Sequence, residues 1–282
     1  MIRLLTSLTK KKIIVPFYHT VAEQPLPHIK HLYRMKTVEE FLKDLDFLLR
    51  YFEPIDVETL YHLHIHKTVL KKPVFHLTFD DGMKEMYEIV APILLEKGVS
   101  ATFFINSGFV DNKSLFYRHR ESLECEWQDN CEKNGRKEDE FLEKEKPYLT
   151  TEQIIKLSKQ GFTIGAHSID HHYYNTISLE EQLRQTRESL DFVASTVNQK
   201  LRLFAFPFTD YKVPRQFFKE IEHEVDLCFG TAGLKNDVIP FNIQRIAGEK
   251  RTYESLECIL RNAYLKYMGK FFLKKNRIFR TF

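Results

Sequence analysis

The chain has 282 residues, 43% of them hydrophobic, enough for one large α/β barrel or two small domains around a sizeable core. Its 42 basic residues against 39 acidic ones leave a formal charge of +3, far from the basic excess needed to neutralise a row of phosphates, so no nucleic-acid partner is expected. The longest apolar runs, such as Ile89–Leu95 with Pro92 inside it, fall well short of the ~20 residues that cross a bilayer.

In chain order, the opening MIRLLTSLTKKKIIVPFYH places a short apolar patch before three lysines. That is the wrong order and length for a secretory signal and predicts a cytoplasmic chain. Apolar segments rich in β-branched and aromatic residues then recur at Ile13–Tyr18, Val74–Phe79, Val99–Ile105, Phe162–Ala166, Leu203–Phe206, Val225–Phe229 and Ile243–Ala247. Helical patterns separate them, so the fold class is α/β, with βα units around a largely parallel sheet. Near-continuous apolarity predicts strands buried on both faces.

Helix starts are marked by Thr37 with Glu40, Thr150 with Gln153 and Ser178 with Glu181, all at capping-box spacing. Gly98 and Gly161 stand where C-terminal caps belong. Pro92 lacks an N–H and is expected to kink the helix running from about Lys84 to Lys97. Residues 107–148 interrupt the rhythm with dense charge and the single Trp127, and are expected to form a solvated helical insertion, or else a lid over a site. No linker or repeat divides residues 1–282, which predicts a single domain. Cys125, Cys131, Cys228 and Cys258 lack metal-ligand spacing and are expected to be structural thiols.

The tail Tyr264–Phe282 interleaves Tyr, Phe and Leu with Lys266, Lys270, Lys274, Lys275, Arg277 and Arg280. Such a pattern suits peripheral contact with a membrane surface, at the inner face for a cytoplasmic chain. Its alternative is a frayed or docked helix.

Two motifs carry chemistry. Thr78-Phe79-Asp80-Asp81-Gly82 ends an apolar strand in two carboxylates, with Gly82 free to take a backbone conformation that turns both acids into one cleft. Adjacent buried carboxylates repel and desolvate each other unless a cation lies nearby, although an isolated Asp-Asp-Gly also serves as a simple turn. Gly165-Ala166-His167-Ser168-Ile169-Asp170-His171-His172 also follows a strand. Imidazoles four residues apart plus one carboxylate make a three-ligand metal site with a position open for water, whereas a lone HxxxH is commonly structural. Both motifs lie at strand carboxyl ends, the face on which β/α barrels assemble sites.

Together these residues resemble the polysaccharide deacetylases, carbohydrate esterase family 4. The resemblance runs from about Ile13 to Gly248, with 107–148 unmatched, and implies a single distorted (β/α) barrel of about seven strands. TFDDG is similar to the family's first motif, implying Asp80 as general base and Asp81 as metal ligand. His167-Ser168-Ile169-Asp170-His171 resembles the second, H-[ST]-x-x-H, implying His167 and His171 as the other ligands of a divalent ion, zinc being expected, with His172 as the competing ligand. Ala205-Phe206-Pro207-Phe208 resembles the third, Arg-Pro-Pro-Tyr, implying that the Phe208 N–H binds the substrate oxyanion. Ala205 replaces the arginine that usually partners the base, and Arg245 is a candidate substitute.

The family's late Leu-x-His motif is missing, because no histidine follows His223. Pro16-Phe17-Tyr18-His19 resembles the Tyr-His strand end of a permuted branch that includes poly-N-acetylglucosamine deacetylases, implying His19 as general acid; the alternative is a packing histidine. The implied function is metal-dependent hydrolysis of the N-acetyl amide of an N-acetylated sugar or glycan. Two alternatives stand beside it: a hydrolase of a formamide or small linear amide, and a catalytically silent glycan-binding protein.

Overall fold

A computed structural model describes residues 1–129, 138–249 and 254–280. Cys131 and the Trp127 side chain fall outside what is described. Each apolar segment contributes to one parallel sheet: β1 (Pro16–Tyr18), β2 (Leu77–Phe79), β3 (Ala101–Ile105), β4 (Thr163–Ala166), β5 (Leu203–Ala205), β6 (Leu227–Gly230), β7 (Asn242–Gln244) and β8 (Ile246–Ala247). Their order across the sheet is β7-β6-β5-β4-β3-β2-β1-β8.

The sheet closes through a single residue. β7 pairs with β6 at one edge and β8 with β1 at the other, and only Arg245 lies between them in the chain. The Arg245 amide donates to the Gly230 carbonyl at 3.0 Å and the next amide, Ile246, to Val15 at 2.9 Å. The expected seventh segment is thus two strands facing opposite edges, and a barrel results. Ile13–Ile14 and Val74–Phe75 break away from β1 and β2 to pair in a small parallel sheet with Glu53–Pro54. Pro16, with no N–H to give a ladder, sits at the first break.

Both faces of the sheet are buried, as continuous apolarity requires. Phe104, Leu203, Ala205, Leu227, Phe229 and Ile243 pack together inside, with Val57 and Leu60 among them. Phe103, Ile105, Ile164, Phe204 and Cys228 pack instead beneath the helices. Gly165 admits the Phe104 ring, which a Cβ there would meet at 2.2 Å.

The surrounding helices are α1 (Ile2–Thr9), α2 (Val38–Tyr51), α3 (Val57–Ile65), α4 (Ala91–Glu96), α5 (Tyr117–Asp129), α6 (Glu138–Glu145), α7 (Thr151–Lys159), α8 (Leu179–Thr196), α9 (Arg215–Ile221) and α10 (Leu256–Phe272). Complete capping boxes form at Thr37/Glu40 and Thr150/Gln153, and the Ser178 hydroxyl accepts the Glu181 amide. Gly98 and Gly161 take the positive φ of C-terminal caps. Before Pro92 the helix widens into a π segment, Met86–Val90, closed by the Ala91 N–H on the Met86 carbonyl. The wide turn absorbs what was expected as a kink.

One expectation needs correction. The described residues of 107–148 are not a solvated excursion: Phe109, Leu115, Phe116, Leu123, Phe141, Leu142 and Tyr148 form an apolar cluster with Ile29 and Met83. Burial of that many large side chains, at about 1.5–3 kcal/mol each, outweighs the segment's charge. The tail takes the docked form, one of its two expected alternatives to membrane contact. Tyr264 and Tyr267 are buried, Arg277–Ile278 pairs with Asn236–Asp237, and the buried Arg280 side chain is ion-paired with Asp210 and Asp237. Arg280 is therefore no surface cation. Among the described residues no helix is long and apolar enough to cross a membrane.

Candidate active site

Every barrel strand is parallel, so the carboxyl ends share one rim, and the two motifs meet there. Asp80 and Asp81 leave β2. Asp81 itself adopts φ 75° and Gly82 φ 65°, so the turn is tighter than a single glycine provides. Ser168 (φ 68°), His171 (φ 59°) and Phe208 (φ 56°) share the left-handed region. Such conformations cost about 1–3 kcal/mol each and persist where surrounding contacts overdetermine them.

Here those contacts are visible. The buried Ser168 hydroxyl accepts the His171 amide at 3.0 Å, and the Asn106 side-chain amide donates to the His167 carbonyl. The Gln185 side-chain oxygen accepts the Ile169 and Asp170 amides at 2.9 and 3.1 Å. Ser168, Asn106 and Gln185 thus shape the histidine turn. Sequence reasoning assigned them nothing, because their work is bonding to backbone.

Asp81, His167 and His171 converge, with one ligand atom from each within 4.8 Å of the others. Asp81 Oδ1 lies 3.4 Å from His167 Nε2 and 3.1 Å from His171 Nε2, yet makes no hydrogen bond. A buried carboxylate oxygen facing two imidazole nitrogens without bonding either is a donor set shaped for a cation. The His167 Nδ1–H donates to the Ala205 carbonyl at 2.8 Å, which leaves Nε2 its lone pair. Burial raises the Asp81 pKa, but His171 and His167 together hold it well below the carboxylate range. Burial also pushes His171 below its ordinary value, against the pull of Asp81, which favours the neutral form that a ligand requires. His172 is half-exposed beside Asp170 and does not join the group.

The missing arginine is replaced from across the barrel. Arg245, wholly buried, donates through Nη1 and Nη2 to the two Asp80 oxygens at 2.6 and 2.8 Å, and to the Thr78 hydroxyl at 3.1 Å. Its guanidinium lies against the Phe17 and Phe104 rings, with Cζ 4.6 and 5.4 Å from their centroids. Burial opposes ionisation of Asp80, and Arg245 overcomes it, lowering the pKa.

His19 extends β1, whose register pairs Tyr18 with Phe79 and so sets His19 beside Asp80. Its Nδ1 meets the Glu249 carboxylate, which also accepts the His19 amide at 3.0 Å. Burial pulls the imidazole pKa down, but Glu249, with Asp81 and Asp80 behind it, raises it to about 9. Glu249 was missed, although a carboxylate just past the last strand is the same signal that marked Asp80.

The insertion reaches the site, as a lid would: the Phe116 ring lies 4.5 Å from that of His171. Phe208 packs 4.5 Å from His171 on another side and stacks on Tyr173 at 3.6 Å. Tyr174 is core and Tyr211 exposed. Tyr33, from the loop 22–36, lies 4.8 Å from His19 with a buried, unpartnered hydroxyl.

Residues 67–221 match the sequence profile described as polysaccharide deacetylase. His19, Arg245 and Glu249 lie outside that span. The Bacillus subtilis (strain 168) protein named "Putative polysaccharide deacetylase YxkH" is 23% identical over 135 residues, 48% of this chain and 37% of that protein, so the match spans little more than a third of that relative. The fold is shared with the Streptococcus pyogenes deacetylase PplD, at TM-score 0.65 and 18% identity over 89% of this chain and 97% of that one. IcaB from Ammonifex degensii aligns at TM-score 0.63 and 18% identity, over 90% and 97%. A de-N-acetylase from Aggregatibacter actinomycetemcomitans aligns at TM-score 0.63 and 14% identity, over 89% and 99%. With more than half of its residues matched by the profile and the barrel shared throughout, this chain belongs to the polysaccharide deacetylase family.

Proposed function

We propose that the chain is a metal-dependent deacetylase, served by zinc, that hydrolyses the N-acetyl amide of an N-acetylated sugar or glycan. The observation that carries the proposal is the convergence of Asp81, His167 and His171 beside an Asp80 already paired by Arg245. A zinc-like dication held there would acidify water from a pKa of about 15.7 towards ~7 and place positive charge beside the acetyl carbonyl.

The chain's own groups supply the rest. Arg245 keeps Asp80 ionised and fixes its plane, so that it can take the proton of the attacking water. The Phe208 amide, turned by its positive φ, is the donor for the oxyanion. Glu249 holds Nδ1 of His19, leaving Nε2 to protonate the departing amine. An acid on the first strand accords with the permuted branch of the family. An N-acetyl amide is also the bond implied by the name of the neighbouring de-N-acetylase. A silent binding protein would have drawn support from the lost arginine and the displaced acid; the Arg245 pair with Asp80 and the Glu249 contact of His19 favour the enzyme instead.

The test is acetate release from a panel of N-acetylated sugars and glycans by the wild type and by Asp80→Asn, with metal content held equal. A loss of about 10²- to 10⁴-fold is expected for a positioned base. Near-wild-type turnover by the variant would overturn the assignment.

A further inference from the structure

Charge and exposed apolar surface gather on the two terminal segments of the described chain. Residues 1–22 and 258–282 contain eleven of the 42 basic residues and none of the 39 acidic ones, so the remainder of this +3 chain is net acidic by eight. α1 and α10 carry four of these cations, Arg3, Arg261, Lys266 and Lys270, and pack against each other on the outside of the barrel; Lys10, Lys274 and Lys275 follow the helix ends, while Arg280 is paired internally with Asp210 and Asp237. Each helix buries one face: Ile2 and Leu5 from α1, and Leu256, Ile259, Leu260, Tyr264 and Tyr267 from α10.

The outward faces are also apolar. Leu4 and Leu8 on α1, with Met1 at its N-cap, form an exposed stripe at helical spacing, with Leu4 61% accessible. On α10, Leu265 and Phe272 stand seven residues apart on one exposed line, and Phe272 is 79% accessible. Phe271, Leu273 and Phe279 extend the patch. Eight of the fourteen large apolar side chains exposed among the described residues lie in these two segments. Single exposed apolar residues need no explanation, but eight of them on two basic segments whose helices pack together do.

A cavity of about 430 Å³ opens between α10 and the closing edge of the barrel, lined by Lys235, Lys266, Tyr267 and Lys270 and, on the barrel side, by Arg245. Burial, then the charges of Lys235 and Lys266, hold Lys270 below its ordinary pKa. Three lysines thus line one cavity, a setting that favours an anion.

We propose that the α1/α10 face is a docking surface for an anionic lipid bilayer, its apolar stripes entering the headgroup region while the lysine-lined cavity receives a lipid phosphate. Charge complementarity selects this occupant over a second copy of the chain, since two such faces would set like charges against each other. The proposal does not rest on the hydrolytic reading, and its test needs no substrate.

The test is co-sedimentation of the full chain with vesicles of phosphatidylcholine alone or mixed with phosphatidylglycerol, alongside Lys266→Ala with Lys270→Ala, and Leu8→Ser with Phe272→Ser. Binding confined to the anionic vesicles and weakened by salt is expected, as is a loss of about fivefold per lysine removed, on the order of 25-fold for the pair. The apolar pair should also bind less, with unfolding midpoints unchanged because every substituted side chain is exposed. No binding to anionic vesicles, or equal binding by all three proteins, would overturn the proposal. So would a wild-type dimer that the Leu8→Ser, Phe272→Ser protein abolishes, which would assign the face to self-association.

Discussion

Arg245 and Asp80, 165 residues apart in sequence, meet through two parallel hydrogen bonds inside the barrel. The arginine stands at the one position between β7 and β8, so the residue that closes the sheet also orients the candidate base. Arg245→Ala leaves a buried charge unpaired and should destabilise the fold by about 3–5 kcal/mol in denaturant titrations. Arg245→Lys keeps the charge but cannot bridge both oxygens, so activity should fall while most stability is retained. A lysine variant with wild-type turnover would show that bidentate geometry is irrelevant.

Metal binding separates the two neighbouring histidines. His171→Ala should weaken affinity for zinc by more than the ~10- to 100-fold typical of losing an outer-sphere partner, and His172→Ala should leave it unchanged. Elemental analysis after dialysis reads the difference directly. Affinity should also fall in acid, because both imidazoles must be neutral to bind.

Glu249 sets the pH behaviour of His19. The imidazole is raised to about 9 in the folded chain, so its contribution to stability is complete below about 6.5 and is lost as pH rises through 9. Its side chain is 26% exposed, which limits the effect to on the order of 2 kcal/mol. Glu249→Gln should remove that stabilisation below pH 6.5 and move the alkaline limb of the pH–rate profile to lower pH. An unmoved limb would mean that His19 is not the group it reports.

Glu85 offers a stability test away from the proposed chemistry. Burial raises its pKa to about 7, against weaker opposing hydrogen bonds including one from the Thr20 hydroxyl. For a carboxyl whose folded pKa is raised, stability is fully present below about 4.5 and declines until about 7, a loss of about 3 kcal/mol. Glu85→Gln buries a neutral isostere, so its melting temperature should exceed the wild type's at pH 8 and match it near pH 4. Equal melting temperatures at pH 8 would mean that the buried carboxylate costs nothing.

Much of the candidate site was legible because its ligands are local. A strand ending in Asp80-Asp81-Gly82 and a turn holding His167 and His171 can each be recognised within a dozen residues, and the period of the apolar segments places both at strand ends. The insertion was misjudged for a related reason. Its apolar residues are irregularly spaced among many charges, and their partners Ile29 and Met83 lie far outside the segment.

By itself, then, the amino-acid order determined the alternation of strands and helices, the caps that begin them, and the three side chains able to hold a cation. Only the tertiary structure decided how the barrel closes. Closure brings Arg245 to Asp80, and Glu249 to His19 across 230 residues. The reason is geometric. Which residue faces which across a closed sheet depends on the register of its last strand, and register arises from the packing of the whole core rather than from any short spacing along the chain.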